Sequence, residues 1–473
     1  MAVVEWVDDP TFALEVPVLI IGAGAGGLVA GLATRDAGCD ALVLERDPVP
    51  RGSTAMSSGF IPACGTRFQR EHGVDDTVEH MVADIRRKNH DQADLAVVTA
   101  LAIHSAATLE WLHDRHGVAL ELVDGFLYPG HSRLRMHATP GRSGEELMGR
   151  LQAAAEAAGV DVVTNAHVTT LYVEPRTRRV AGVGLERPDG ERERIGCRML
   201  VLACNGYGGN PGLVARHLDG MRDAVYYGHA GNQGEALLWG EALGARLADL
   251  GAFQGHGSVA VPQLSLVSWS VIMQGGVQVN RLGQRFSNEH LGYSEQARKV
   301  LAQPGGRVWT LFDGRIHDFA MAGFPDYRAV VAAGALRQAD SPDALAALID
   351  VPASALCQEL DDMRRSASSG QPDLHGRQFQ SAQLLQPPYC AIQVTGALFH
   401  TQGGLAITAE GRVLGGDERA LPNLYAVGGA ARGVSGAADD GYLSGNGLLA
   451  ATVMGAIAGR DAARRALEDG CDG

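Results

Sequence analysis

An α/β fold, in which a domain on a mostly parallel sheet is interrupted by an inserted α+β domain, is predicted by three features of the 473-residue sequence. Near the N-terminus an apolar run of strand length meets a glycine-rich turn and continues into a helical pattern and a second apolar run. Between about residues 252 and 396 the style of the chain changes. The tail then resumes the first style.

Residues 16–21 form a continuous apolar run that ends at Gly22. Leu28, Leu32 and Ala33 follow at helical spacing, and residues 41–44 read as a second buried strand. Together they make a βαβ unit, whose crossover is expected to be right-handed. Residues 147–158 carry helical periodicity and 160–163 strand character. Residues 168–190 alternate and contain Pro175, Pro188 and Gly190, the pattern of a small antiparallel meander. A buried strand returns at 199–203. The middle segment has strands containing Gln and Gly, then Ala-rich helices around 329–366. Residues 424–427 read as a strand, followed by a glycine-rich loop and a helix over 447–467. The expected division is 1–251 with 397–473 as one domain and 252–396 as the inserted cap.

Composition excludes several classes. Sixty-two glycines and only 5% aromatic residues suit tight strand–helix turns better than an all-β sandwich. The formal charge of −14 argues against a nucleic-acid partner, which needs a basic face. Residues 1–15 are acidic and lack the pattern of a signal peptide, and glycines break the apolar run 16–33, so no membrane span is expected. The seven cysteines are scattered and never form CxxC. Reduced thiols, a cytoplasmic location and no metal site are the expectation.

Gly22-x-Gly24-x-x-Gly27 lies between a strand and a helix, with Glu45 at the end of the next strand. A Rossmann-like dinucleotide fingerprint requires that setting. Gly22 permits the tight turn, Gly24 lets the backbone approach a pyrophosphate, and Gly27 lets helix and strand pack closely. Ala25 and Gly26 stand at the helix start, where N–H groups and the dipole favour phosphate. Glu45 can accept hydrogen bonds from an adenosine ribose, with Arg46 beside it.

The next segment, Arg51-Gly-Ser-Thr-Ala-Met-Ser-Ser-Gly59, matches a Gly-(Ser/Asn)-Thr-x-x-(Ser/Ala)-x-Gly loop at Gly52, Ser53, Thr54, Ser57 and Gly59. That loop is found in soluble fumarate reductases, succinate dehydrogenase flavoprotein subunits and 3-ketosteroid dehydrogenases. From here nearly the whole chain resembles that family. Val201-Leu-Ala-Cys-Asn-Gly206 looks like its ATGG strand end. Gly275 to Glu289 looks like its GAxxVNxxGxRFxNE segment, His400-Thr-Gln-Gly-Gly404 like HTxGG, and Asn423 to Gly429 like xLYAxGE. The resemblance implies FAD, and adds Ser58, Val168, Ala203, Asn205, Gly206, Gly429, Gly447 and Leu448 to its contacts. It implies a non-covalent flavin, because the 51–59 loop has no His for attachment. The helix starting at Gly447 is expected to face the flavin N1/O2 edge, where its dipole would stabilise the reduced ring.

The chain departs from the family where fumarate reductases carry their chemistry. Tyr293 stands in place of the acid Arg, Tyr442 in place of the carboxylate-clamping Arg, and Trp269 and Ile272 in place of the proton relay. His256 and His400 remain. Both tyrosines resemble the ketosteroid dehydrogenase branch, which uses one Tyr to take a proton and one to polarise a ketone. Desaturation beside a carbonyl needs loss of an α-proton and transfer of the β-hydride to flavin N5, with the enolate oxygen stabilised.

The expected catalytic set is therefore Tyr442 on the ketone with a backbone N–H near Gly447, Tyr293 on the α-proton, Tyr128 as a relay, and His400 shaping the pocket. Trp269 and Ile272 are expected to line an apolar pocket; Ser444 is a further candidate. The substrate expectation is a cyclic ketone such as a 3-ketosteroid or a 4-oxocyclohexanecarboxylate, with oxygen or another carrier as electron acceptor. Arg133, Arg135 and Arg142 could meet a substrate carboxylate, or be solvated, or bind flavin phosphate. A reductase of an activated alkene and a non-catalytic FAD scaffold are the other classes carried.

Overall fold

The computed structural model describes residues 2–125 and 127–471. They divide into two compact units. The first comprises Met1–Leu218, Gly228–Phe253 and His400–Gly473; the second comprises Asp219–Tyr227 and Gln254–Phe399.

The first unit is built on a nine-stranded sheet. Its path runs Val3–Trp6, His167–Val173, Val180–Glu186, Arg192–Leu202, Leu14–Ile21, Ala41–Leu44, Asp161–Val163, with Ala420–Ala426 also paired to Arg192–Leu202. Where the sequence suggested a strand at 199–203, a single longer strand, Arg192–Leu202, does two jobs. Its first half pairs antiparallel with Val180–Glu186, closing the meander, and its second half pairs parallel with Leu14–Ile21 and Ala420–Ala426. The register aligns the carboxyl ends of the parallel strands: Leu202 opposes both Ile21 and Ala426, Ile21 opposes Leu44, and Leu44 opposes Val163. Loops that leave such a line share one edge, the edge where open α/β sheets bind ligands. Gly22–Gly27, Glu45, Asn205 and Gly429 all follow these ends.

Two helices pack together on this sheet. Ala25–Asp36 is buried along most of its length, and the tail helix Asn446–Cys471 crosses it. The crossing is close because glycine faces backbone: a Cβ on Gly455 would lie 2.6 Å from Gly26 O, and one on Gly459 would overlap Ala30 O. The helix Leu95–His116 is long and apolar enough, by length and composition, to cross a membrane. Half of it is buried, and Val97, Val98, Leu101, Leu109 and Leu112 join the core, the place of a core helix. The expectation of no span had rested on residues 16–33 and passed over this helix.

The second unit centres on the long strand Tyr389–Thr401, which Arg307–Asp313 and Arg337–Ala339 join antiparallel. Residues 219–227 belong here, outside the expected 252–396, because Val225 and Tyr226 pair with Ala397 and Leu398. No short-range pattern announces that pairing. Four helices, Gly314–Gly323, Pro325–Ala332, Pro342–Leu348 and Ala353–Ser369, follow the strand Arg307–Asp313.

A buried charge cluster holds the segment around Glu289. Glu289 is fully buried and meets Arg285 at 2.8 Å and Arg377 at 2.9 Å, while Arg285 also pairs with Asp373. Its second oxygen accepts the Gln278 N–H at 3.0 Å. The guanidinium groups hold the Glu289 carboxyl down to about 2, against the desolvation that opposes them. Glu289→Gln would leave both arginines short of a counter-charge. It should cost about 3–5 kcal/mol of stability in denaturant titrations, the range for breaking a buried pair by removing one partner.

Candidate functional site

The glycine turn separates into positions the protein fills and positions it leaves open. A Cβ on Gly22, whose φ is +102°, would lie 2.6 Å from Ala203 O, and one on Gly27 would overlap Gly22 O. Both are glycine because backbone lies against them. A Cβ on Gly24 would meet only Thr54 Oγ1 at 3.8 Å, and one on Gly52 only Gly24 Cα at 3.9 Å. Among the described residues no other atom lies within 4 Å of either position. The helix Ala25–Asp36 starts from Gly24 with no side-chain cap and no acid in its first turn. Such an end offers N–H donors and positive potential to an anion. Space, donors and sign all fit a dinucleotide pyrophosphate.

Glu45 clamps the turn, accepting the Ala23 N–H at 2.8 Å and the Asp47 N–H at 3.0 Å on its two oxygens. Arg46 does not point to open space; it bonds Gly231 O and Glu235. The 52–59 loop is wedged in place. Thr54 Oγ1 accepts the Ala25 N–H at 3.2 Å, Ser57 O accepts the Gly144 N–H at 2.8 Å, and a Cβ on Gly59 would lie 2.8 Å from Ser143 O. Ser57 Oγ donates to Thr54 O at 2.7 Å, so it braces its own loop, while Ser58 is exposed.

Ser53 Oγ accepts from Asn205 at 3.0 Å and from Asn232 at 2.9 Å. Asn205 in turn accepts the Gly206 N–H at 2.9 Å, and a Cβ on Gly429 would overlap its side chain. Ser53, Asn205, Gly206 and Gly429 are thus one network, which Asn232 completes. Ala203 is half-buried beneath Gly22, and Val168 is a core residue of its strand. Beside the loop, a cavity of about 450 Å³ is lined by Asp47, Arg51, Gly52, Met56 and His229 among others.

At the tail, Gly447 is glycine because His400 lies on it: a Cβ there would be 2.6 Å from His400 Cε1 and Nε2. His400 Nδ1 sits 3.0 Å from Thr401 O, which makes it the protonated nitrogen, and burial lowers the imidazole pKa. The Gln402 amide nitrogen is 3.1 Å from Nδ1 and 3.0 Å from Nε2, so it lies over the ring. Gln402 also accepts from Ser435 Oγ at 2.9 Å, and Ser435 accepts from Asn446 at 3.3 Å. Tyr442 is buried and meets His400 edge-on, ring centroids 6.2 Å apart. Leu448 is half-buried in the first turn of the tail helix.

Tyr128 packs edge-on against Phe60 at 5.8 Å. Its loop is tied to the tail through His131 Nε2, which donates to Ser444 O at 3.0 Å.

In the second unit, Tyr293 begins the helix Tyr293–Leu301 and stacks on His256 at 5.1 Å. Phe399 stacks on His256 at 5.4 Å, Tyr227 on Phe399 at 5.1 Å, and Trp269 meets His256 edge-on at 5.6 Å. His256 Nδ1 accepts the Ser258 N–H at 3.2 Å, leaving the proton on Nε2, and burial pushes its pKa down to about 3. Trp269 contributes to this wall, but Ile272 is wholly inside the unit and lines nothing. Its backbone O accepts from Arg377 at 3.3 Å.

The arginines correct one expectation. Arg135 is no carboxylate receptor: it is fully buried between Asp76, at 2.7 Å, and Asp84. Arg133 and Arg142 lie toward the surface, Arg133 bonding Asp75 O at 3.0 Å. Among the described residues four arginines are buried, and carboxylates hold each one: Arg135, Arg285, Arg377, and Arg432 between Asp249 and Asp94. Sequence reasoning missed Asn232, Gln402, Tyr227 and Phe399. Only Gln402 carried a signal, as the variable residue of HTxGG.

A family model described as an FAD binding domain matches residues 17–448. The chain is 31% identical over 455 residues to the probable fumarate reductase Ifc3 of Shewanella frigidimarina (strain NCIMB 400), covering 95% of this chain and 75% of that one. Among solved structures it resembles the open conformation of a flavocytochrome c3 fumarate reductase, with a TM-score of 0.81, 30% identity, and coverage of 96% and 79%. It also resembles 3-ketosteroid-Δ4-(5α)-dehydrogenase from Rhodococcus jostii RHA1 in complex with 4-androstene-3,17-dione. That match has a TM-score of 0.78, 25% identity, and coverage of 96% and 98%.

Two predictions follow from this geometry. Gly24 has φ −71°, which any residue adopts, so Gly24→Val should fold and be isolated without flavin absorbance. Gly27→Val, whose Cβ overlaps backbone, should fail to fold; a flavin-loaded Gly24→Val would contradict the assignment. The second concerns pH. Burial lowers His131 and His137 to about 4 and His256 to about 3, so unfolding takes up protons below the ordinary value near 6.5. Stability is then full above about pH 6.5 and falls as pH drops from there toward 4. Each group should contribute about 1.4 kcal/mol per pH unit. Urea titrations across that window should show the slope.

Proposed function

This chain belongs to the FAD-binding-domain family of flavoprotein oxidoreductases that act on carbon–carbon bonds, and from that footing we propose that it desaturates a cyclic ketone. The observation that carries the proposal is the fate of the arginines. Tyr293 and Tyr442 occupy the positions where fumarate reductases place arginine, and carboxylates already hold every buried arginine among the described residues. A dicarboxylate needs a guanidinium with valence to spare. A ketone needs only a neutral donor on its oxygen. The resemblance in length and fold to a ketosteroid dehydrogenase supports the same direction.

FAD, when bound, supplies the two-electron acceptor for the β C–H bond. Tyr442 donates its phenol hydrogen to the substrate carbonyl, stabilising negative charge as it develops on oxygen. Tyr293, having given up its own phenol proton to solvent, takes the α-proton as the phenolate and becomes the neutral phenol. His400, neutral and pinned by Thr401 and Gln402, holds the start of the tail helix and one side of Tyr442 in position. Tyr128 is the candidate relay beyond them. The flavin is held without a covalent bond, since residues 51–59 contain neither His nor Cys. Oxygen or another carrier takes the electrons away.

An alkene reductase is the second reading, and the reductase relatives favour it. The two readings separate in anaerobic mixing. A desaturase bleaches its oxidised flavin with a saturated ketone, whereas a reductase reoxidises pre-reduced flavin with an enone and leaves the ketone untouched. In stopped-flow measurements Tyr442→Phe and Tyr293→Phe should each slow bleaching by about 10²–10⁴-fold with flavin content unchanged. Unimpaired bleaching in either variant would remove that residue from the mechanism, and rapid oxidation of succinate would remove the ketone.

A further inference from the structure

Ser53 is held by two amides at once. Its Oγ accepts from Asn205 Nδ2 at 3.0 Å and from Asn232 Nδ2 at 2.9 Å. A serine hydroxyl has two lone pairs and one hydrogen. Both lone pairs are taken, so only the O–H is left, and among the described residues nothing accepts it. The surroundings make this side chain a donor.

Both amides are fixed from behind. Asn205 sits at φ +65°, a region that Asn tolerates, and its Oδ1 accepts the Gly206 N–H at 2.9 Å, which turns its Nδ2 toward Ser53. Asn232 is 5% exposed and closes a turn: its N–H reaches His229 O at 3.0 Å, and its O accepts the Gly209 N–H at 2.9 Å. His229 Nδ1 accepts the Gly231 N–H at 3.1 Å, which leaves the proton on Nε2, 2.9 Å from Asp47. Arg46 bonds Gly231 O from the same stretch. The turn 229–232 is thus clasped to the segment that leads into the 52–59 loop. All of these residues belong to the first unit.

Ser53 is half-buried beside the space left at the glycine turn. It follows Gly52, whose Cβ would meet only Gly24 Cα and which also borders the cavity of about 450 Å³. The arginines nearest in sequence are already offset: Arg46 is committed to Gly231 O and Glu235, and Arg51 stands 3.8 Å from Glu145. Thr54 takes the first N–H of the helix, that of Ala25, at 3.2 Å. An anion on this face therefore depends on neutral donors, and Ser53 replaces the one that Thr54 withdraws. An O–H given to an anionic oxygen is among the stronger hydrogen bonds.

We infer that Asn205 and Asn232 are positioning residues that aim the Ser53 hydroxyl hydrogen at a pyrophosphate oxygen of FAD. Asn205, expected from the family motif to touch the cofactor, acts through Ser53. Asn232, which no motif announces, does the same. This goes beyond the ketone reading and holds whatever the flavin oxidises.

Phosphorus NMR of the oxidised holoenzyme reads the pyrophosphate without turnover. Ser53→Ala should move one of the two phosphorus resonances and raise the FAD dissociation constant about tenfold, read from flavin fluorescence recovered on dilution. Asn232→Leu and Asn205→Gly should move the same resonance and each raise the constant about threefold. In a Ser53→Ala background neither should add to the change. If Asn232→Leu does not fold, Asn205→Gly carries the test, since glycine adopts φ +65° freely.

Both resonances unmoved in Ser53→Ala would overturn the inference, whatever the affinity for FAD. So would amide variants that lower the melting temperature but leave resonance and affinity at the parent values. Amide variants that keep their full effect in Ser53→Ala would do the same, because they would then act by another route. With no substrate present, failure here leaves the desaturase reading untouched, and a flavin that no ketone bleaches leaves this assignment untouched.

Discussion

Backbone packed against backbone at a handful of glycines is the constraint on which the first unit depends. Gly22 lies on Ala203, Gly27 on Gly22, Gly455 on Gly26 and Gly459 on Ala30, each too close for a side chain. These contacts seat the first helix on its strand and the tail helix on the first helix. They also leave space at Gly24 and Gly52 beside a helix start whose N-cap glycine brings no side chain. The line of strand ends, Ile21, Leu44, Leu202 and Ala426, then delivers the loops that surround that space. A cofactor site of this kind is a by-product of how closely the elements pack, and a single Cβ at Gly27 would dismantle both.

Charge is arranged by a different rule. Among the described residues, carboxylates neutralise each buried arginine, as with Arg135 between Asp76 and Asp84 or Arg285 and Arg377 around Glu289. Breaking such a pair from one side is costly, so these groups are committed to structure. That commitment narrows what the molecule can bind. Family membership fixes the flavin and the class of reaction, while the ketone proposed as substrate rests on Tyr293 and Tyr442, which the family resemblance aligns with arginines.

Features with a local physical cause were legible in the sequence. The turn at Gly22–Gly27, the acid at Glu45 and the 52–59 loop could be read because each answers to a fixed spacing along the chain. Strand ends near Leu202 and Ala426 were readable for the same reason. What was not legible depends on partners far apart in sequence. Arg135 looked available from its neighbours, yet Asp76 and Asp84, 59 and 51 residues away, claim it. Residues 219–227 join the second unit through a pairing with Ala397 and Leu398 that no periodicity encodes. Asn232 reaches Ser53 across 179 positions. Arg46, named beside Glu45 as a cofactor contact, is taken up by Gly231 and Glu235.

Burial holds His131 and His137 near 4 and His256 near 3, and it lowers His400 as well. Imidazoles that stay neutral through the working range are poor general acids, and their fixed hydrogen bonds to Ser444, Ser258 and Thr401 make them struts. With these histidines held neutral and the buried arginines among the described residues locked to carboxylates, the proton transfer proposed for this chain falls to phenols. Tyr293 is set against the neutral ring of His256 in the second unit, and Tyr442 against that of His400 in the first. The proposed chemistry asks for charge only as the substrate reacts, which is the condition of a ketone becoming an enolate and not that of a dicarboxylate.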